Sequence, residues 1–202
     1  MAESVQYQYA DGVFTIQDPD LNINFTEQVP VDLPHVSGQP ESGYAVVVCE
    51  HDRVVVQKSY YHDHLLHGPS YIYYDDGSLA SERWFVKGFP HGRSIEYYMD
   101  GAIARQAGYM KGELHGSSIE YYPQGTKKWS GTFFHGKAQG KCSVFHHDGL
   151  MLRSTDFSEG CRHGIDVGWT EDGFLLFCEL WQYGEKVRSI LSDFIADALK
   201  IS

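Results

Sequence analysis

Residues 92–101 read GRSIEYYMDG and residues 116–125 read GSSIEYYPQG. Two near-copies at a fixed distance mark a repeated structural unit, and the copies extend in both directions. Gly68, Gly92, Gly116, Gly140 and Gly164 form one ladder. Gly77, Gly101, Gly125, Gly149 and Gly173 form a second, and Gly88, Gly112, Gly136, Gly160 and Gly184 a third. Every ladder has a step of about 24 residues, a period that marks a repeat architecture.

Each unit opens with a short alternating stretch that ends in a turn closed by glycine. Asp76, Asp100, Asp148 and Asp172 precede that glycine, and Gln124 replaces them once. A second stretch ends on Phe85, Tyr109, Phe133, Phe157 or Trp181, shortly before a glycine of the third ladder. Glycine reaches positive φ without steric cost, as hairpin turns and bulges require. Each unit therefore predicts a β-hairpin, and successive hairpins continue one antiparallel meander. A helical array is excluded, because each interior glycine would cost about 1 kcal/mol. Alternation places Tyr71, Ile95, Ile119 and Val167 on one side with Tyr73, Tyr97, Tyr121, Phe145 and Trp169. Glu96 and Glu120 point the other way. The apolar side is expected to be buried, with the second-strand aromatics joining it.

Working outward, residues 1–27 form an N-terminal hairpin segment around Asp11-Gly12, with Val5, Tyr7 and Tyr9 alternating on one arm. Asp18, Asp20, Asn22 and Asn24 resemble the start of a calcium loop. However, Ile23 and Val29 stand where that loop needs its glycine and its closing glutamate, so no calcium site is read there. Residues 28–43, rich in proline and glycine, read as a linker. Residues 44–187 are the array of about six repeats, the first degenerate, with Arg53 and His64 replacing glycines. Residues 188–202 are expected to be an amphipathic capping helix, since Val187, Ile190, Leu191, Phe194, Ile195, Ala198 and Leu199 recur at helical spacing. The fold class is all-β: an elongated antiparallel meander of β-hairpin repeats with a C-terminal amphipathic capping helix.

The formal net charge of −11 argues against nucleic acid and anionic lipid as partners. The four cysteines (Cys49, Cys142, Cys161, Cys178) form no CxxC pair and read as reduced, half-buried strand residues. No apolar run approaches the roughly 18 residues of a membrane span, and residues 1–15 lack the marks of a signal peptide. A cytoplasmic location is expected.

Residues 85–92 (FVKGFPHG) and 109–116 (YMKGELHG) resemble the aromatic-x-x-Gly-x-x-His-Gly junction of the MORN repeat family. Residues 119–125 (IEYYPQG) are similar to a MORN variant common in bacterial proteins, antitoxin components among them. The resemblance covers about residues 64–184 and, more weakly, 44–63. It implies a MORN-like array, and with it a scaffold, a membrane-associated module or an appendage to an enzyme; the acidic charge disfavours the membrane role.

Tyr74, Tyr98 and Tyr122, with His146 next in register, form a second stripe on the face opposite Tyr73, Tyr97 and Tyr121. Exposed rigid aromatics on a regular surface make good partner anchors. His67, His91, His115 and His163 recur beside the junction glycines, with Gln139 in the fourth place. Equivalent residues two strands on are about 10 Å apart, too far to share a metal ion. The junction histidines are expected to bond a backbone carbonyl or stack on an aromatic ring. His62, His64 and His67, and likewise His146 and His147, are close enough in sequence for adventitious binding, and no dedicated metal or cofactor is expected. No nucleophile elbow, phosphate loop or dinucleotide fingerprint occurs. The chain reads as a non-enzymatic protein-binding module or scaffold. Its partner is another protein, or a second copy through a sheet edge or the C-terminal helix. A binder of small molecules or glycans through aromatic grooves is the alternative.

Overall fold

The computed structural model describes residues 5–36, 40, 42–51 and 53–191. The chain divides into two compact units, Met1–Gly116 and Ser117–Ser202.

In the first unit, β1 (Gln6–Ala10), β2 (Val13–Asp18) and β3 (Ile23–Gln28) form a three-stranded antiparallel sheet. The β1–β2 turn is the expected Asp11-Gly12, both at positive φ, a two-residue hairpin loop whose twist matches its strands. Strand β3 is additional to the expected hairpin. Its alternating Ile23 and Phe25 lie among Asp and Asn residues that mask the signal. Asp18 is fully buried, with Arg93 Nε 2.5 Å and the Tyr7 hydroxyl 2.7 Å away. Burial raises its pKa, but the hydrogen bonds from Arg93 and Tyr7 outweigh that and hold the carboxyl below its usual range.

A second sheet runs in sequence order through β4 (His35–Val36), β5 (Tyr44–His51), β6 (Val54–His62), β7 (Leu65–Tyr73), β8 (Leu79–Val86), β9 (Phe89–Tyr97) and β10 (Ile103–Met110). β4, inside the stretch expected to be a linker, pairs parallel with β5; the pairs of β5 through β10 are antiparallel. The boundary between units falls inside β11 (Glu113–Tyr121).

The three-stranded sheet packs on the array and supplies its main apolar core: Phe14, Ile16, Leu21, Ile23 and Val29 close over Trp84. The first glycine ladder is what lets it approach. A Cβ on Gly68 would lie 2.7 Å from the Tyr9 ring, one on Gly92 2.6 Å from Tyr7, and one on Gly116 2.4 Å from Leu21. Side chains of the N-terminal segment, Tyr9 and Tyr7 from β1 and Leu21 from the turn between β2 and β3, thus sit directly on three successive rungs.

In the second unit the sheet order is β12 (Lys127–Phe134), β14 (Gly140–Phe145), β15 (Met151–Ser158), β16 (Cys161–Trp169), β17 (Leu175–Gln182) and β18 (Glu185–Ser189). The two-residue β13 (Lys137–Ala138) also pairs with β12. Strand β18 corrects the expected helix start, since Val187 and Arg188 are strand residues and Leu180 pairs with Arg188. The cause is local. Tyr183 and Gly184 both take positive φ, the same two-residue turn as Lys87-Gly88 and Lys111-Gly112, and such a turn returns the chain as a strand. The rest of that helix, residues 192–202, lies outside the described residues.

Register corrects the assignment of faces. Phe85 pairs with Gly68 and Arg83 with Ser70, while Tyr109 pairs with Gly92 and Ala107 with Ser94. Paired residues share a face, so Phe85 and Tyr109 lie with Ser70, Ser94 and Glu96, opposite Tyr71 and Ile95. The Tyr71 and Ile95 row is only half-buried. The deeply buried array positions include the small Ser70, Ser81, Ser94 and Ser118 as well as Trp84 and His67. Cys49 and Cys161 are exposed; Cys142 and Cys178 are half-buried as expected.

Candidate functional site

The Tyr74, Tyr98, Tyr122 and His146 stripe is half-buried rather than exposed. Each residue opens a turn: Tyr74 N–H donates to Ser78 O, and Gly77 N–H donates back to Tyr74 O. The same pair of bonds recurs at Tyr98, Tyr122 and His146. The turn directs the ring inward, so that the Tyr74 hydroxyl donates to Tyr97 O (2.6 Å) and the Tyr122 hydroxyl to Phe145 O (3.0 Å). These tyrosines tie one repeat to the next. Tyr74→Phe and Tyr122→Phe should each lower stability by about 1 kcal/mol in urea titrations; no change would remove that role.

Three of the four junction histidines, His67, His91 and His163, accept from a backbone N–H rather than donate to a carbonyl. His67 Nδ1 accepts from Lys87 N–H (3.2 Å), His91 from Lys111 (3.2 Å) and His163 from Tyr183 (3.4 Å). Gln139 does the same job with its amide oxygen, accepting from Glu159 N–H at 2.9 Å. All four donors sit at positive φ in a two-residue turn. The position thus calls for an acceptor, which explains why Gln139 can stand in for histidine there. Burial holds the His67 and His91 pKa values below the ordinary histidine value, with Lys111 adding to the effect at His91. The unfolded imidazoles then bind protons that the folded ones refuse. Their contribution is complete above about pH 6.5 and is lost as pH falls from there through the folded pKa. His91→Gln should keep the thermal midpoint near neutrality and flatten its acid slope, whereas His91→Leu should cost about 1 kcal/mol near neutrality, a cost that shrinks as acid removes the histidine's own contribution.

Glu27, His62 and His67 bring three ligand atoms within 4.8 Å of one another. Glu27 joins from β3, a partner that local spacing could not reveal. The arrangement is that of a histidine facing a carboxylate. Because Nδ1 accepts from Lys87, the proton of neutral His67 resides on Nε2, which faces Glu27 Oε2 at 3.1 Å. A metal ion on Nε2 would have to displace that proton. Tyr44 completes the chain, its hydroxyl donating to Glu27 Oε1 and its ring stacked on His62 at 3.9 Å.

The second unit carries the more open chemistry. Pairing puts Trp129 with Val144, Cys142 with Thr155, Thr155 with Asp166, Phe157 with Arg162, Asp166 with Glu179 and Gly164 with Trp181, all on one face. At its centre Asp166 is fully buried. It accepts two hydrogen bonds from Arg153 (Nε 2.9 Å, Nη2 2.6 Å) and one from the Thr155 hydroxyl (2.8 Å), with Arg162 Nη1 at 3.5 Å. Burial would raise its pKa, yet the bonds from Arg153 and Thr155 prevail and keep the carboxyl below its usual range. The guanidinium of Arg153 lies 5.4 Å from the Phe177 ring centre and that of Arg162 4.5 Å from Trp181. Beside them a cavity of about 290 Å³ is lined by Trp129, Phe133, Cys142, Val144, Arg153, Thr155, Phe157 and Arg162. Two cations are thus fixed on aromatic rings next to an apolar hollow.

None of these residues was singled out by motif, but a register signal exists. Asp166 occupies the position of Ser70, Ser94 and Ser118, and Arg162 that of Leu66, Pro90 and Leu114. No protein-family model matches the chain, and no curated protein matches it. No helix among the described residues is long and apolar enough to cross a membrane.

Proposed function

We propose that the chain is a non-enzymatic protein-binding module built on MORN-like hairpins, with its partner seated on the aromatic–guanidinium face of the second unit. The observation that carries this reading is the buried Asp166, which fixes Arg153 and Arg162 beside half-buried aromatics before any partner arrives. Pre-ordered arginine and aromatic anchors are where binding energy concentrates in protein interfaces. The tyrosine stripe weighs less, because the Tyr74 and Tyr122 hydroxyls are already engaged within the array. The MORN likeness rests on the repeat motif, and a cytoplasmic site of action belongs to the same proposal.

Affinity capture from the source cells tests it, comparing the natural chain with Phe157→Ser and with Phe134→Ser. Phe134 is 57% exposed and points to the opposite face, which makes it the control. A partner lost with Phe157→Ser and kept with Phe134→Ser supports the reading. Equal retention by all three folded proteins sinks it. The narrower, antitoxin-like form predicts a toxic protein among the captured partners.

A further inference from the structure

We propose that Arg153 and Arg162 recognise a carboxylate side chain on an acidic, apolar segment of the partner protein, whose apolar neighbours fill the hollow beside them. This rests on the reading above and names the chemistry of the occupant.

Charge complementarity points to it. The face holds three cations, Arg153, Arg162 and Lys186, against two carboxylates, Asp166 and Glu179. One positive charge remains, on a chain whose formal net charge is −11. The leftover charge has free donors. Arg153 spends Nε and Nη2 on Asp166, which leaves Nη1. Arg162 touches Asp166 only through Nη1, at 3.5 Å, and among the described residues its Nε and Nη2 meet no protein acceptor. Both arginine side chains are 39% exposed, and their guanidiniums lie over the rings of Phe177 and Trp181. A planar fork so oriented fits a carboxylate. Trp129, Phe133 and Phe157 line the adjoining hollow and suit aliphatic side chains. A single excess charge beside Asp166 and Glu179 matches a monoanion better than a doubly charged phosphate.

The test uses the full chain and fluorescein-labelled heptapeptides, blocked at both ends, read by anisotropy. One alternates Leu with Glu, one Leu with Gln and one Leu with phosphoserine. The Leu/Glu peptide should bind about tenfold more tightly than the Leu/Gln peptide, and Arg162→Gln, at unchanged thermal midpoint, should abolish that difference. Arg153→Lys, which keeps charge but loses the fork, should weaken binding in the same direction. Equal binding of the Leu/Glu and Leu/Gln peptides overturns the proposal, as does tighter binding of the phosphoserine peptide. A dimer in sedimentation that Arg162→Gln dissolves also overturns it, because the occupant is then a second copy of this chain. If no peptide binds but Phe157→Ser still loses its captured partner, the carboxylate inference fails and the protein-binding reading stands. If neither responds, both fail.

Discussion

Phe14→Ala is expected to destabilise the first unit by about 3–5 kcal/mol, the cost of emptying a fully enclosed aromatic position. Phe14 has no exposed surface, and its ring centre lies 5.2 Å from Tyr9, 4.9 Å from Phe25, 5.0 Å from His67 and 6.0 Å from Trp84. Two of these partners belong to the N-terminal sheet and two to the array. The void would open where the sheets meet, and neither can collapse into it without leaving the glycine rungs. Urea unfolding followed by the fluorescence of Trp84 is the direct measurement, in a chain with the other three tryptophans changed to Phe. A loss under about 1 kcal/mol would mean that the N-terminal strands are an appendage and that the array supplies its own core. Gly92→Ala should act in the same direction, since its new Cβ would meet the Tyr7 ring.

That core was the least legible part of the fold. The hairpins are written locally, in glycines that alone tolerate certain backbone angles, so their number and phase could be read from residues 64–184. The contacts of Tyr7, Tyr9 and Leu21 with Gly92, Gly68 and Gly116 span tens of residues and leave no local pattern. The face assignment failed for a related reason. Alternation fixes which residues of one strand share a side, but only register joins the sides of neighbouring strands, and bulges such as those between Ile72 and Tyr73, Val144 and Phe145, and Gly168 and Trp169 shift that register. Histidine periodicity is visible in the sequence, while the direction of hydrogen bonding depends on the turn that ends the neighbouring strand, whose backbone N–H groups face the imidazoles. Arg153 and Arg162 belong to no motif. Their partner Asp166 was legible in principle, because a carboxylate at a position held by Ser70, Ser94, Ser118 and Cys142 in the other repeats breaks the pattern.

Asp166→Ala should show what that break is for. Removing the carboxylate leaves two guanidiniums and the Thr155 hydroxyl without their shared acceptor, a loss of about 3 kcal/mol in the second unit. The half-exposed arginines can regain water, which keeps the cost at the lower end for a buried ion pair. The acid behaviour follows the same group. Because the folded carboxyl titrates below its unfolded value of about 3.9, its contribution is present above that pH and is lost as pH falls through the folded pKa. The alanine variant should lose this part of the acid slope of the unfolding midpoint. Asp166→Ser separates stability from recognition, since serine is what the array carries at Ser70, Ser94 and Ser118. It should fold with a smaller loss than alanine, as its hydroxyl can still meet Thr155, yet it cannot hold Arg153 and Arg162 in place. Leu/Glu peptide binding should then fall as far as in the alanine variant. If the serine variant binds as the natural chain does, Asp166 is only a structural ion-pair partner, and the arginines need no fixed posture to recognise their ligand.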